Sequence, residues 1–179
     1  MHHKENTTKY VEVKGKLLED SVLELFSNFF KSDFKIFQSY YVDGNEQDIL
    51  FLWKNYAFII EAKGYGLREP LRTPDKAFIR IKDDFKDCVG YGYSQTRRVE
   101  KKFIDGVLLR ITDKCGNLIE EIDTTKYEHD FSIIVNLKTF GQIQNDLSTL
   151  LELENDDDVF PWAVKLDDLE IFLLTMLAQ

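Results

Sequence analysis

Three features that often define a protein class are scarce or absent in this sequence: paired cysteines, long apolar runs and linker-like segments. The two cysteines, Cys88 and Cys115, have no Cys-x-x-Cys or Cys/His spacing, so neither a disulfide framework nor a zinc site is expected. No apolar stretch approaches the roughly 20 residues that a membrane span needs, and the N-terminus lacks the apolar segment of a signal peptide. We therefore expect a cytoplasmic protein without a membrane partner.

The absence of repeats, low-complexity tracts and Pro/Gly/Ser-rich linkers predicts one domain over residues 1–179. The chain is 44% hydrophobic and 13% aromatic, which is ample for a single core at this length. Residues 169–177 are predicted to form a closing helix that is still apolar where the sequence stops. Such an ending indicates a domain excised from a longer protein.

Acidic side chains outnumber basic ones, but not uniformly along the chain. The formal net charge is −9, which by itself argues against a nucleic-acid partner. Residues 54–110 nevertheless carry 13 basic and 8 acidic side chains, or +5, between segments of −3 (1–53) and −11 (111–179). A polyanion would therefore bind in the middle third of the chain; chance clustering on a solvated surface is the alternative.

Hydrophobic periodicity predicts a mixture of helices and strands. Predicted helices cover 12–31, 84–103, 139–153 and 169–177. Predicted strands cover 34–42, 47–53, 56–63, 106–111, 118–122, 131–137 and 162–166. We expect an irregular segment at 64–74 and an acidic loop at 155–158, and 78–82 is ambiguous between strand and helix.

The order of these elements predicts the architecture. Three consecutive strands joined by short turns pair as an antiparallel meander, and a later strand returns to the same sheet after a helix. The predicted fold class is α/β, with a central mixed sheet between two helical layers.

Asp48, Glu61 and Lys63 form the candidate chemical site. If Lys54-Asn55 is a two-residue hairpin loop, Asp48 and Glu61 face each other with Cβ atoms roughly 4.5–5.5 Å apart. Two carboxylates so placed repel each other, and a divalent cation such as Mg²⁺ is the simplest compensation. Lys63 lies on the same face because strand side chains alternate, where its ammonium could position a water or steady a phosphate.

A structural interpretation of the same three residues stays open. Lys-Asn is not a favoured hairpin pair, and a one-residue slip would turn Asp48 to the opposite face. Asp48 would then begin a strand, and Glu61 and Lys63 would be a solvated, salt-bridged edge. Against this, both charges follow the apolar run 57–60, where charged side chains need a reason to be present.

Four segments resemble the PD-(D/E)XK, or restriction-endonuclease-like, nuclease superfamily over roughly residues 14–137. Ile60-Glu61-Ala62-Lys63 matches the third-strand Glu-x-Lys of the family, and Glu46-Gln47-Asp48-Ile49-Leu50 resembles its second-strand aspartate segment. Gly15-Lys16-Leu17-Leu18-Glu19 resembles the glycine-then-glutamate first helix, and Tyr93-Ser94-Gln95-Thr96-Arg97-Arg98 resembles the glutamine-bearing helix. The segments occur in the order that the family has.

The resemblance implies an αβββαβ core and hydrolysis of phosphodiester bonds with Mg²⁺ or Mn²⁺. It implies that Asp48, Glu61 and the carbonyl of Ala62 ligate the metal and that Lys63 positions the attacking water. Glu19 would reach the metal directly or through water, with a second ion as a further option. Gln95 would fix the shape of the active site or contact the substrate backbone.

The expected function is a Mg²⁺-dependent endo- or exonuclease acting on DNA, with RNA as the alternative substrate, in restriction, defence or repair. Arg98 is a candidate substrate-binding residue, because the basic residues after Gln95 could contact phosphates; an ordinary solvated helix face is the alternative. Cleavage of both strands would call for a homodimer or additional domains of a longer chain.

A different class of function also fits the sequence. The acidic pI of about 4.9 and the acidic C-terminal third favour a non-catalytic binding or assembly module that docks a protein partner. The intact set of Asp48, Glu61 and Lys63 favours the enzyme, because a scaffold does not need all three.

Overall fold

A computed structural model describes residues 2–64, 68, 73–155 and 159–177, with side chains from residue 13 onward. The helices are α1 (His2–Phe30), α2 (Pro74–Phe85), α3 (Tyr91–Ile104), α4 (Gln142–Asn145) and α5 (Leu166–Leu177). The strands are β1 (Phe34–Val42), β2 (Asn45–Trp53), β3 (Tyr56–Lys63), β4 (Leu108–Thr112), β5 (Leu118–Asp123), β6 (His129–Asn136) and β7 (Trp162–Lys165). None of the helices in these ranges combines the length and apolar character needed to cross a membrane.

The strands form one seven-stranded mixed sheet in the order β5-β4-β1-β2-β3-β6-β7. The predicted antiparallel meander is confirmed for β1, β2 and β3, and β6 returns to pair parallel to β3. The hairpin of β4 and β5 extends the sheet beyond β1, and β7 extends it beyond β6. The prediction of an α/β fold with a mixed central sheet is therefore confirmed.

Alternate residues of the central strands pack into different helical layers, as the pleat requires. On one face, Ile49 and Ile60 pack with Phe26 of α1 and Leu169 of α5. On the other face, Leu50 and Ile59 pack with Val99 and Phe103 of α3. The central strands β2 and β3 are thereby covered on both faces, which removes the carboxyl end of β3 from bulk solvent.

The predicted helix over 139–153 is wrong. That segment contains only the four-residue α4 and a short 3-10 turn, Leu147–Thr149. Gly141 has a φ of +64° just before α4, and the side chain of Asp146 accepts a hydrogen bond from the backbone N–H of Ser148. Polar side chains that capture nearby backbone N–H groups compete with helix formation, and here the turn is favoured.

The helical segment before β4 is longer than predicted. The ambiguous residues 78–82 belong to α2, which begins at Pro74, and the π-helical turn Lys86–Gly90 connects α2 to α3. Helix α1 likewise begins earlier than the predicted residue 12. The predicted irregular segment 64–74 and the acidic loop 155–158 fall mostly on residues 65–67, 69–72 and 156–158, which lie outside the described residues.

Candidate functional site

The β2–β3 hairpin places Asp48 opposite Glu61. The ladder runs from Trp53 and Tyr56 at the turn to Ile49 and Ile60, which is the register predicted for a two-residue loop. Lys54 accommodates the turn with a φ of +52°. The prediction of register is therefore confirmed, although Lys-Asn is an unusual hairpin pair.

Beyond the last ladder pair, side chains continue the pairing of the two strands. The backbone N–H of Asp48 donates to Oε1 of Glu61 at 3.2 Å, and the backbone N–H of Ala62 donates to Oδ2 of Asp48 at 2.8 Å. Each carboxyl group is thus fixed by a backbone N–H of the other strand. This reciprocal pairing holds two acidic groups side by side, in spite of their repulsion.

Lys63 connects the carboxyl pair to helix α3. Its Nζ donates to Oε2 of Glu61 at 2.7 Å and to Oε1 of Gln95 at 2.5 Å, and lies 3.6 Å from Oδ2 of Asp48. The side chain is only 12% exposed, and Glu61 is fully buried. The interpretation of Glu61 and Lys63 as a solvated edge is therefore wrong, because β3 is an interior strand between β2 and β6.

The electrostatics of the cluster favour a protonated Glu61 at neutral pH. Burial raises the pKa of Glu61 to about 8, with a further contribution from the charge of Asp48 and a smaller opposing one from Lys63. Burial lowers the pKa of Lys63, but the carboxylates of Glu61 and Asp48 outweigh it, so the pKa is raised. One ammonium thus lies beside two adjacent carboxyl groups, and an additional cation bound between them would favour the ionised form of Glu61.

Glu19 of α1 lies near this cluster but does not join it. Burial and then the charge of Asp48 raise the pKa of Glu19, so the two carboxyl groups interact through space. The Glu19 carboxylate is held by Gln38 at 3.4 Å and by Lys16 at 3.6 Å. Of the predicted metal ligands, Asp48, Glu61 and Ala62 are adjacent, and Glu19 is in a neighbouring position.

Two glycines allow α1 to pass closely over the end of β3. A Cβ atom on Gly64 would lie 3.2 Å from the backbone nitrogen of Gly15 and 3.3 Å from its Cα. Those distances are tighter than nine in ten real Cβ contacts, so a side chain at position 64 would require α1 to move by a few tenths of an ångström. Gly64 directly follows Lys63, and this contact therefore positions the cluster as well as the helix.

Helix α3 approaches the sheet through another glycine. A Cβ atom on Gly92 would lie 3.0 Å from Cγ2 of Ile134 on β6. One turn further on, Gln95 reaches Lys63, and its Nε2 makes a long 3.4 Å hydrogen bond to the carbonyl oxygen of Glu46. By propensity Gly92 weakens the helix, but the packing requires it, since it brings Gln95 within reach of the site.

The basic residues after Gln95 do not form one stripe. Arg97 is buried and ion-paired with Glu100 at 2.8 Å, so it is not part of a phosphate-contact surface or of a solvated face. Arg98 is half-buried and lines a surface pocket of about 420 Å³ together with Ser94, Lys101 and Lys102. The pocket also includes Asp43, Asp105 and Glu154, so its charge is mixed.

Tyr40 is a buried neighbour of the cluster that the sequence did not single out. Ser39 has a φ of +49° and reverses the alternation of β1, so that both Phe37 and Tyr40 pack on the α3 side. The Tyr40 hydroxyl has no hydrogen-bond partner among the described residues. Burial and then the charges of Glu61 and Asp48 raise its pKa, which places the hydroxyl within their electrostatic reach. An aromatic residue in an aromatic strand carries no sequence signal for such a position.

Comparisons with protein-family models, curated proteins and solved structures found no match for this chain.

The carboxyl groups of Asp48 and Glu61 fit a hard divalent cation that takes few protein ligands. Within the described residues, no three His, Cys, Asp or Glu side chains converge in a way that could hold a metal ion. Mg²⁺ commonly takes only one or two protein carboxylates, with waters and substrate phosphates supplying the other oxygens. Asp48 and Glu61, fixed side by side, meet that smaller requirement.

Proposed function

We propose that this protein is a metal-dependent nuclease of the PD-(D/E)XK type that hydrolyses phosphodiester bonds of DNA. The observation that carries the proposal is the reciprocal Asp48–Glu61 pair, with the Lys63 ammonium bonded to Glu61 at its side. The succession of α1, three antiparallel strands, α3 and the parallel strand β6 agrees with a restriction-endonuclease-like αβββαβ core, extended by β4, β5, β7 and α5.

In this proposal the carboxylates of Asp48 and Glu61 and the carbonyl oxygen of Ala62 would hold Mg²⁺ or Mn²⁺. A bound ion of this kind polarises a phosphate oxygen and lowers the pKa of a coordinated water. Glu61 must lose its proton to act as a ligand, and the neighbouring Lys63 favours that loss. Asp48 is already fixed in place by the N–H of Ala62, so little side-chain entropy remains to be lost.

Lys63 acts as a fixed positive charge rather than as a base. Its raised pKa keeps the ammonium protonated at neutral pH. Gln95 and Glu61 accept two of its three hydrogens, which fixes the direction of the third. Such a pre-organised donor stabilises negative charge that develops on a phosphate oxygen, or orients the attacking water.

In this proposal Arg98 and the two neighbouring lysines of α3 are the candidate phosphate contacts, in a pocket of mixed charge. Arg98 lies one turn beyond Gln95 on α3 and shares a surface pocket with Ser94, Lys101 and Lys102. The Lys101 and Lys102 ammonium groups pair with Glu154 and Asp43 in the absence of substrate. Phosphates would replace these carboxylates as partners, and the affinity would then fall with increasing salt.

The experiment is a cleavage assay on purified protein with supercoiled plasmid, single-stranded DNA and RNA, each in Mg²⁺, Mn²⁺ and EDTA. We expect metal-dependent cleavage of DNA, and we expect Asp48→Asn to lower the rate by at least about 100-fold. Asp33→Asn is the matched control, because it makes the same substitution at an exposed position. Cleavage of RNA alone would mean that the substrate is RNA and not DNA. Cleavage in EDTA that Asp48→Asn leaves unchanged would overturn the proposed site.

One observation favours the second candidate, a non-catalytic assembly module. Helix α5 leaves Ile171, Leu174 and Leu177 exposed, and contiguous apolar surface often marks a protein interface. If the folded wild-type protein cleaves none of the substrates and its melting temperature does not respond to Mg²⁺ or Mn²⁺, this function is preferred. Light scattering would then establish whether the chain self-associates through α5.

A further inference from the structure

A second cavity lies at the other end of the sheet from Lys63. It has a volume of about 600 Å³ and is walled by aromatic residues of β3, β6, β7, α5 and the segment before β7. These residues, the aromatic pocket from here on, are Phe58, Phe131, Phe160, Trp162 and Phe172. Asp130, which also lines it, pairs with Ala57, six positions before Lys63 on β3. At about 3.3 Å per residue, Asp130 and Lys63 are roughly 20 Å apart along the strand direction.

The aromatic rings form ordered walls but do not close over the cavity. Phe58 and Phe131 stack with centroids 5.5 Å apart, and Trp162 and Phe172 meet edge to face at 5.0 Å. Phe131 is 46% exposed, Trp162 is 40% exposed and Phe172 is 47% exposed. Large apolar side chains normally bury most of their surface, so an open group of this kind is typical of a binding site.

The end of the aromatic pocket next to α3 is polar and acidic. The described residues there are Arg97, Glu100, Asp130 and Ser132, which carry two carboxyl groups and one guanidinium. Arg97 and Glu100 form a buried ion pair, and no described ion pair involves Asp130. Burial raises the pKa of Asp130, and Glu100 raises it further against the opposing charges of Arg97 and His129.

A buried hydroxyl also lines this polar end. Ser132 is 8% exposed, and its Oγ has no hydrogen-bond partner among the described residues. The Oγ atom itself is shielded from the cavity, so it is part of the wall and not a ligand contact. The pocket therefore combines an aromatic body with one more carboxyl group than guanidinium groups among its described lining residues.

We propose that the aromatic pocket binds a small organic ammonium ion, with its apolar body between the rings and its cationic nitrogen beside Asp130. Aromatic faces attract cations, and a carboxylate adds a direct charge pair. Phosphates and other anions are disfavoured by Glu100 and Asp130, so this site is separate from the proposed nucleic-acid site.

Isothermal titration calorimetry of the full chain with phenethylammonium tests the proposal. We expect saturable binding at millimolar concentration or below, with binding of phenethyl alcohol and phenylacetate at least about tenfold weaker. Asp130→Asn should weaken phenethylammonium binding about tenfold and leave phenethyl alcohol unchanged. Asp75→Asn on α2 makes the same charge change away from the pocket and should have no effect.

Three outcomes would overturn the proposal. The folded wild-type protein may fail to bind phenethylammonium, it may bind the alcohol as tightly, or Asp130→Asn may bind the ammonium as tightly as Asp75→Asn does. Because Asp130 is half-buried, the melting temperature of each variant is measured first. If Asp130→Asn does not fold, Trp162→Leu replaces it, with an expected loss of at least fivefold, estimated as roughly one cation–π contact. None of these readouts depends on nuclease activity.

Discussion

Asp48 and Glu61 each accept a hydrogen bond from the backbone of the other's strand: Glu61 Oε1 from Asp48 N–H at 3.2 Å, and Asp48 Oδ2 from Ala62 N–H at 2.8 Å. The arrangement keeps two carboxyl groups adjacent at the buried end of β3. It has consequences for stability that do not depend on any enzymatic activity.

The raised pKa of Glu61 predicts that stability without metal falls with rising pH. Its pKa is about 8 in the folded protein and 4.5 in its ordinary state, so between these values the folded protein holds a proton that the unfolded chain has lost. Folding then takes up a proton, and the free energy of unfolding falls by up to about 1.4 kcal/mol per pH unit across the window. Below pH 4.5 and above pH 8 this group contributes no slope.

Urea titrations in EDTA at several pH values measure this effect. Glu61→Gln keeps the shape of the protonated carboxyl group and should flatten the slope, whereas Glu24→Gln at an exposed position of α1 should not. Equal slopes for the wild type and Glu61→Gln would mean that Glu61 is ionised in the folded protein.

Divalent metal should stabilise the wild type through the same pair. We expect millimolar Mg²⁺ or Mn²⁺ to raise the melting temperature, because an ion that binds only the folded state stabilises it by mass action. Asp48→Asn should abolish the increase and Asp33→Asn should retain it. An equal increase in both variants would indicate binding elsewhere on this acidic chain.

The geometry of the carboxyl pair was predictable because strand pairing is a local rule. A two-residue loop at Lys54-Asn55 determines which residues face each other, and alternation then places Lys63 beside Glu61. The apolar runs next to Asp48 and Glu61 also favoured a functional role for these charges over a solvated edge. The α/β class followed from the order of the elements.

The features that the sequence did not predict depend on long-range contacts or on single backbone angles. The φ of +49° at Ser39 turns Tyr40 toward the site, although serine and tyrosine are unremarkable in a strand. Arginine is usually found on the surface, so the sequence does not indicate that Arg97 is buried; the fold buries it between α3 and the sheet. In the predicted helix 139–153, Gly141 and Asp146 favour turns, and the periodicity of apolar residues carries no information about them.

Alanine substitutions at the neighbouring Gly64 and Gly15 should change the stability of the protein in opposite directions. Gly64→Ala places a Cβ atom 3.2 Å from the backbone nitrogen of Gly15, so the helix must shift, at a cost of about 1–3 kcal/mol. Gly15→Ala meets no atom of the described residues within 4 Å and lies inside α1, where alanine is favoured over glycine by about 1 kcal/mol. Urea unfolding of both variants measures the difference. Destabilisation by Gly15→Ala of the same size as by Gly64→Ala would contradict the described approach of α1 to β3.

Removal of the Tyr40 hydroxyl should not destabilise the protein without metal. The hydroxyl is buried without a partner among the described residues, so Tyr40→Phe should be neutral or stabilising by up to about 1 kcal/mol. Tyr41→Phe is the comparison, because the Tyr41 hydroxyl donates to Glu46 at 2.9 Å on the surface. A loss of stability in Tyr40→Phe alone would reveal a hydrogen bond to Glu61, Asp48 or a buried water.

The most direct test of the proposed nuclease is the initial rate of plasmid cleavage by the wild type, Lys63→Met and Lys126→Met in Mg²⁺. Methionine keeps the length of the lysine stem and removes the charge, and Lys126 is an exposed lysine away from the carboxyl pair. We expect Lys63→Met to lose at least about 100-fold in rate while remaining folded, and Lys126→Met to match the wild type. Equal rates for all three proteins would contradict the assignment of Lys63, and with it the proposed active site.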